Sequence, residues 1–586
     1  MGDAGLKQSR ILFAVGFVAV SSLMWQPHIF LNDELLQGLG LDALSHGRLV
    51  LKQPYPEDFN YLLSEGWYHA RVPVAGNFSA PVGSTPLNLL ALPAYEVLRL
   101  PALIIGASAT LTLVTASFSA CAIHLLLKRR AMSKTGAAAF VPWAPLATFA
   151  AIAGGIPWQN PRHAGLFALE LGSIQLTSMA LGAIGGLLVH DLIRERLPSG
   201  QAWPLACIYG FATPAMFWSE QAKYHGTAVT LLVALVWALV RLPEKNRFPV
   251  AGFLAGLACW NQFPLGALSV TALGLTALSA RGDFVDRFRR AAQAAVGTLV
   301  GLSGLLAEWL VLRSNNLGTQ YISPASPASA VTVPLAGLPF FDFKVTWHAI
   351  QSSLFWTDGQ DVALALAVAC AAPVLVFAIG AAGRSVRNAL QPQIAIFAAF
   401  YALLLFVFIG PGVLNVGFSY DVRHVVTLVP LIFLLAAPGL GQAYGAFGRR
   451  IWKWAGLAAF FVFVASVLTN YCVHQLGYYI TATRNADALW MWRILGAAAA
   501  TSVAIWSLMI FRRSILWLRE TERGGILLVA SLGLSLGFEF WILLGRDPLF
   551  AKDDPAFRFW LIENIHQVVN WLTYTVQLPV HVGPFS

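Results

Sequence analysis

Charge is scarce in these 586 residues: Asp, Glu, Lys and Arg together make up 11% of the chain, where soluble domains carry about a quarter. The hydrophobic share is 57% and the mean hydropathy is +0.65, which excludes a water-soluble globule. Cysteine is equally sparse. All five (Cys121, Cys207, Cys259, Cys370 and Cys472) fall in or at the ends of apolar runs, so neither a disulfide framework nor a paired-cysteine zinc site is implied. No Walker-type phosphate loop, His-Glu-x-x-His or Gly-x-Ser-x-Gly elbow occurs, which removes ATP-driven and zinc-hydrolase chemistry from consideration.

What the chain does have is apolar length. Runs long enough to cross a hydrocarbon layer of about 30 Å recur from Ile11 to Leu544, the pattern of an all-α polytopic membrane protein. The net charge of +10 would suit a nucleic-acid binder, but its basic residues stand in short clusters between apolar runs: Lys128-Arg129-Arg130, Arg287 to Arg290, Arg449-Arg450 and Arg512-Arg513. That is the positive-inside pattern, and no nucleic acid is implied. Lys7 and Arg10 precede an apolar run without a small-residue cleavage site, so the first helix is expected as a retained signal anchor with a cytoplasmic N-terminus.

Hydropathy places helices near 11–30, 101–127, 138–156, 165–190, 203–218, 226–241, 249–261, 264–280, 291–312, 361–381, 392–410, 424–440, 454–472, 491–511 and 524–545. About 13 to 15 crossings are expected. On this topology 24 of the 38 Lys and Arg fall on the cytoplasmic side, although the outer segments are the longer ones. Two outer segments, 31–100 and 313–360, far exceed ordinary helix connections, so chemistry is expected outside, at a plasma (inner) membrane. The short pair meeting at Asn261-Gln262 predicts a hairpin that stops short around a polar cavity.

Candidate chemistry follows from what stands at the outer mouths. Asn32-Asp33-Glu34 opens a helical pattern with Leu35, Leu36, Leu39 and Ala43 at helical spacing and Gly47 at its end: an amphipathic helix on the outer surface. Asp33 or Glu34 could serve there as a general base, or Asn32 or Asp33 could cap the helix while Glu34 complements its dipole. His69 and Arg71, followed by the turn-rich stretch Asn77 to Pro86 that contains Ser79, could hold an anion or could simply turn the chain. Arg423 and His424 precede the helix that runs through Pro430, where Arg423 could grip a lipid phosphate as a bidentate fork, or snorkel to headgroups or pair with Asp421. Arg162 with His163, Glu220 with Lys223 and His225, Asn315 with Asn316, and Asp358 with Asp361 could line the same cavity, but each taken singly is expected in a solvated loop. Glu170, Glu308 and Glu539 lie in apolar helices, and must be neutral, paired or facing water.

Several of these pieces, in order, resemble the multi-pass GT-C-fold glycosyltransferases that use polyprenyl-phosphate-linked sugars. Asn32-Asp33-Glu34 with Ser45-His46-Gly47-Arg48-Leu49 is similar to that family's acidic first-loop motif, and Asn77 to Tyr95 to a segment found in some members. Tyr209 to Trp218, Ala251 to Ala258, and Arg423-His424 to Pro430 resemble further segments. Ser79-Ala80 replaces the usual Ser-Lys, and Asn261-Gln262 stands where many members have Thr-Arg. The resemblance implies a GT-C-like bundle over 1–440, followed by C-terminal helices and an outer tail over 441–586. It implies transfer of a sugar from a polyprenyl-phosphate donor to an extracytoplasmic acceptor with inversion, Asp33 acting as base beside Glu34. Arg423 would hold the donor phosphate, with His69, Arg71, Arg162 and His424 behind it, and Ser79, Asn261 and Gln262 would line the cavity. It implies no obligatory cofactor and leaves a divalent metal open. A transporter or lipid flippase would need broken helices in matched halves, and a non-catalytic scaffold would leave Asp33 as a mere cap.

Overall fold

In a hydrocarbon layer every backbone N–H and C=O must be satisfied inside the segment, so apolar runs of this length fold as helices. The computed structural model describes residues 3–23, 32–49, 51–52, 78–79, 84–131, 164–220, 224–314, 392–415, 426–448, 450–460, 525 and 528–537. Helices α1 (Asp3–Leu23) and α2 (Asn32–Ser45) come first, then a two-residue antiparallel pair, β1 (Leu51–Lys52) with β2 (Phe78–Ser79), in the register Leu51↔Ser79 and Lys52↔Phe78. Next are α3 (Thr85–Ile105), α4 (Ala107–Ala131), α5 (Ala164–Arg194), α6 (Ser199–Phe211), α7 (Pro214–Glu220), α8 (Tyr224–Arg241), α9 (Glu244–Asn261), α10 (Phe263–Ser279) and α11 (Phe284–Ser314). The series ends with α12 (Pro392–Asn415) and α13 (Leu428–Phe447), and residues 450–460 and 528–537 are also helical.

Among the described residues, α3, α5, α8, α11 and α13 are long and apolar enough to cross a membrane, and shorter apolar helices accompany them. The chain is an all-α polytopic membrane protein. The expected crossings at 138–156, 361–381 and 491–511, the outer segment 313–360 beyond the end of α11 at Ser314, and the tail 546–586 lie outside the described residues.

Two placements differ from hydropathy: the single helix expected at 203–218 is α6 and α7, parted at Ala212-Thr213 before Pro214, and a further helix precedes 101–127. A single helix is expected at 101–127, with 31–100 as external loop, yet α3 begins at Thr85 and α4 follows after one residue, Gly106, at φ +86°. Pro93 and Pro101 mask α3 in the sequence because they interrupt its apolar run. Both are accommodated inside the helix, as membrane helices permit. Ser84 caps α3, its hydroxyl accepting from Leu87 N at 3.2 Å, with Pro86 in the first turn.

The tightest packing joins α9, α10 and α11. Gln262 alone, in an extended conformation, separates α9 from α10, and the chain reverses there so that Gly266 sits directly against the Ala258 and Cys259 backbone. Helix α11 runs parallel to α9 along a seam of glycines. Gly252 and Gly256 lie against the backbone at Ala294, Thr298 and Gly301, while Gly297 and Gly301 lie against the backbone at Pro249, Phe253, Gly256 and Leu257. Paired small-x-x-x-small faces allow this approach where no hydrophobic force drives helices together within lipid.

Ion pairs gather at one end of the bundle. Arg10 of α1 pairs with Asp191 near the end of α5, whose neighbour His190 is fully buried and stacked on Trp203 at 3.7 Å. Arg241 pairs with Glu195, and Arg290 with Glu244 at 2.8 Å. These groups come from the segments that the charge pattern assigns to the cytoplasm, and they share one end of the structure. The Arg290 guanidinium holds the Glu244 carboxyl below its usual range; the contribution of this exposed pair is therefore present at neutral pH and lost as pH falls through that lowered value.

Candidate functional site

At the opposite end, three helix starts and one hairpin tip converge. Helix α2 carries Asp33 and Glu34 in its first turn, although their side chains, like that of Ser79 in β2, lie outside the described residues. Gly47, at φ +68°, ends the pattern as expected: Arg48 N donates to Ala43 O and Gly47 N to Leu44 O, both at 2.9 Å, which satisfies the last carbonyls of α2.

The expected one-sided helix on the outer surface is corrected by the structure. Gln37, Gly38, Leu39, Gly40 and Leu41 are five consecutive buried residues, so α2 is wedged between α3 and α5 rather than laid on them. Glycine makes the wedge possible. A Cβ at Gly38 would press on Leu171 of α5 at 3.3 Å, and one at Gly40 would meet Asn88 Nδ2 of α3 at 2.6 Å.

The contact between α2 and α3 is polar. Ser84 N donates to Gln37 Oε1 at 2.8 Å, while Gln37 Nε2 donates to Ser84 O at 2.8 Å and to Asn88 Oδ1 at 2.6 Å. Ser84 Oγ then donates to Asn261 Oδ1 at 2.7 Å, and Asn261 Nδ2 donates to the Tyr224 carbonyl at 3.0 Å. Asn261 and Gln262, expected on a cavity wall, are 1% and 3% exposed, and both polar ends of Asn261 are engaged. The apolar part of α9 from Phe248 to Trp260 spans about 20 Å as a helix. The first turn of α3 closes over the hairpin tip.

Beside this network lies a half-buried carboxylate. Glu308 Oε1 accepts from Thr85 Oγ1 and Oε2 from Trp260 Nε1, each at 2.7 Å. The glycine seam brings them together, since Trp260 packs directly on Gly304, one turn before Glu308. Glu170 accepts a hydrogen bond from Tyr95. Among the described residues, both glutamates expected in apolar helices, Glu170 and Glu308, thus have a partner. Glu308→Gln retains one acceptor oxygen for the two donors, Thr85 and Trp260, and is expected to cost about 1 kcal/mol of stability, read as a lowered melting midpoint in detergent.

His225, expected in a solvated loop, is fully buried in the first turn of α8, with its ring 4.5 Å from Tyr224 and 5.1 Å from Trp218. It adjoins the carbonyl that receives Asn261. Gln37, Asn88 and Tyr224 were not legible as site residues. Ser84 before Thr85-Pro86 did carry a helix-start signal that could have revealed α3. His69, Arg71, Arg162, Arg423, His424, Glu539, Asn315, Asn316, Asp358 and Asp361 lie outside the described residues.

Comparison with known families gives a match over residues 157–306 to the family described as dolichyl-phosphate-mannose-protein mannosyltransferase. Comparison with curated proteins and with solved structures gives no match. The matched stretch is about a quarter of the chain. It runs through α5 to α10 and most of α11, and therefore includes Arg162, Glu170, Asn261 and Gln262 but neither Asp33 nor Arg423. Over residues 157–306 the chain carries the sequence pattern of the dolichyl-phosphate-mannose-protein mannosyltransferase family, which together with its apolar helices supports a multi-pass membrane glycosyltransferase.

Proposed function

We propose that the protein transfers a sugar from a polyprenyl-phosphate donor to an extracytoplasmic acceptor, with inversion at the anomeric carbon. The observation that carries this reading is the seating of α2 in the family-matched block: the helix that begins with Asp33-Glu34 packs through Gly38 onto Leu171 of α5. Asp33 takes the proton of the acceptor hydroxyl as its oxygen attacks the anomeric carbon, and the bond from that carbon to the phosphate oxygen breaks on the opposite face. The departing polyprenyl phosphate keeps the electron pair and is stabilised by Arg423, with His69, Arg71, Arg162 and His424 as further cations. Positioning and electrostatics supply the rate, since the side chains contribute one proton transfer and no covalent intermediate.

In this proposal the end of the bundle that holds Ser84, Asn261 and Glu308 faces away from the cytoplasm, and the end tied by Arg10, Arg241 and Arg290 faces inward at the plasma (inner) membrane. The charge pattern supports that orientation. The test is transfer from a panel of radiolabelled polyprenyl-phosphate monosaccharides by purified protein in lipid nanodiscs, with and without EDTA. Turnover of one donor, with an inverted product anomer, is the expected result. Silence from every donor by folded protein would sink the reading, and loss of turnover in EDTA alone would add a divalent metal to it.

A further inference from the structure

The buried amides around Ser84 have a structural property that apolar packing lacks. Leu39, Leu41 and Ala43 bury α2 against its neighbours, but such contacts are non-directional and tolerate a small slide along the helix axis. Hydrogen bonds do not. Gln37 is 1% exposed and closes a ring of two bonds on the Ser84 backbone, with a third bond to Asn88. Ser84 in turn is bonded to Asn261 at the tip of the α9–α10 hairpin, and Asn261 to the first residue of α8. One chain of directional bonds therefore refers the position of α2 to the block that carries the family pattern. Burying three amide side chains is costly unless each is satisfied, and a satisfied network specifies a single arrangement.

Asp33 stands four residues before Gln37, one helical turn along α2. We propose that Gln37, acting through Ser84 and Asn261, is a positioning residue for sugar transfer: it sets the axial register of α2, and with it the place of the first turn that carries Asp33. This rests on the reading of Asp33 as the base. Gly40 belongs to the same device, because any side chain there would displace Asn88.

The experiment compares Gln37→Leu, Leu41→Ala and Asp33→Asn with wild type in nanodiscs, using the donor that the panel identifies. Leu41 is fully buried on the same helix but carries no directional bond. Gln37→Leu is expected to lower kcat by about ten- to a hundredfold, the scale of an ångström of misplacement, with donor KM within about threefold. Leu41→Ala is expected to lower the melting midpoint at least as much while keeping kcat within about threefold. Hydrogen exchange of the 32–45 peptide in protein without donor reads the register independently, and should rise in Gln37→Leu while peptides from α9 and α11 stay protected.

Wild-type kcat in Gln37→Leu, or a loss of kcat that merely follows the melting midpoint across both variants, overturns the proposal. Full turnover by Asp33→Asn overturns the base reading instead, as does silence from every donor, and the proposal falls with it. An inactive Asp33→Asn beside a fully active Gln37→Leu overturns the proposal alone. If Gln37→Leu does not fold, Ser84→Thr against Ser84→Ala carries the test: Thr keeps the hydroxyl that donates to Asn261 Oδ1 and should restore most of the kcat that Ala loses, and equal kcat in the two would overturn it.

Discussion

Asp33→Asn is expected to abolish detectable transfer, lowering kcat by about a hundred- to ten-thousandfold, the usual contribution of a general base. That is about 3–5 kcal/mol of transition-state stabilisation. Asn has the size of Asp and remains a good residue at a helix start, so the variant should fold and melt as wild type does; the loss then belongs to chemistry. The comparison that makes this decisive is Glu34→Gln. Both carboxylates occupy the first turn of α2, and both could act only by complementing the helix dipole, worth about 0.3–1 kcal/mol each. If Asp33 were merely a cap, its variant and that of Glu34 would show the same small loss of stability and near-normal turnover. A large kcat effect at Asp33 with a small one at Glu34 assigns the base, and the reverse moves it by one residue. The assay is single-turnover transfer in nanodiscs, with melting measured on the same preparations.

Gly256→Val is expected to be the most damaging single change to the fold. Its Cβ would run into Thr298 O and the Gly301 backbone, and backbone cannot rotate aside as a side chain can. Helices α9 and α11 must then separate, at a cost of at least about 3 kcal/mol, the upper end for overpacking. Separation would also draw Trp260 away from Glu308, so the damage should reach the candidate site. Gly274→Ala is the control, since Gly274 is also a helix-interior glycine but has open space around its Cβ position. There the gain in helix propensity of about 0.8–1 kcal/mol should raise the melting midpoint. Two Gly substitutions of opposite sign, in detergent thermal unfolding, check the seam; equal behaviour would mean that the close approach of α9 and α11 contributes nothing.

The sequence by itself determined that the protein is helical and membrane-spanning, because 57% hydrophobic residues in runs of membrane-spanning length leave no other solution. Its charge pattern also groups Arg10, Arg241 and Arg290 on one side, and the Arg10–Asp191, Arg241–Glu195 and Arg290–Glu244 pairs agree with that grouping. The start of α2 at its acidic motif and its end before Gly47 were legible because caps are local. Helix α3 was hidden by its two prolines, whose effect in water differs from their effect among packed helices. Only the tertiary structure decided that α2 is wedged rather than superficial, that Ser84 joins Gln37 to Asn261 across 47 and 177 residues of chain, and that Glu308 is held by Thr85 and Trp260. Partners so distant in sequence leave no periodicity or spacing to read, because hydrogen bonds between helices depend on how closely backbones pack, and that closeness was decided by which glycines happened to face each other.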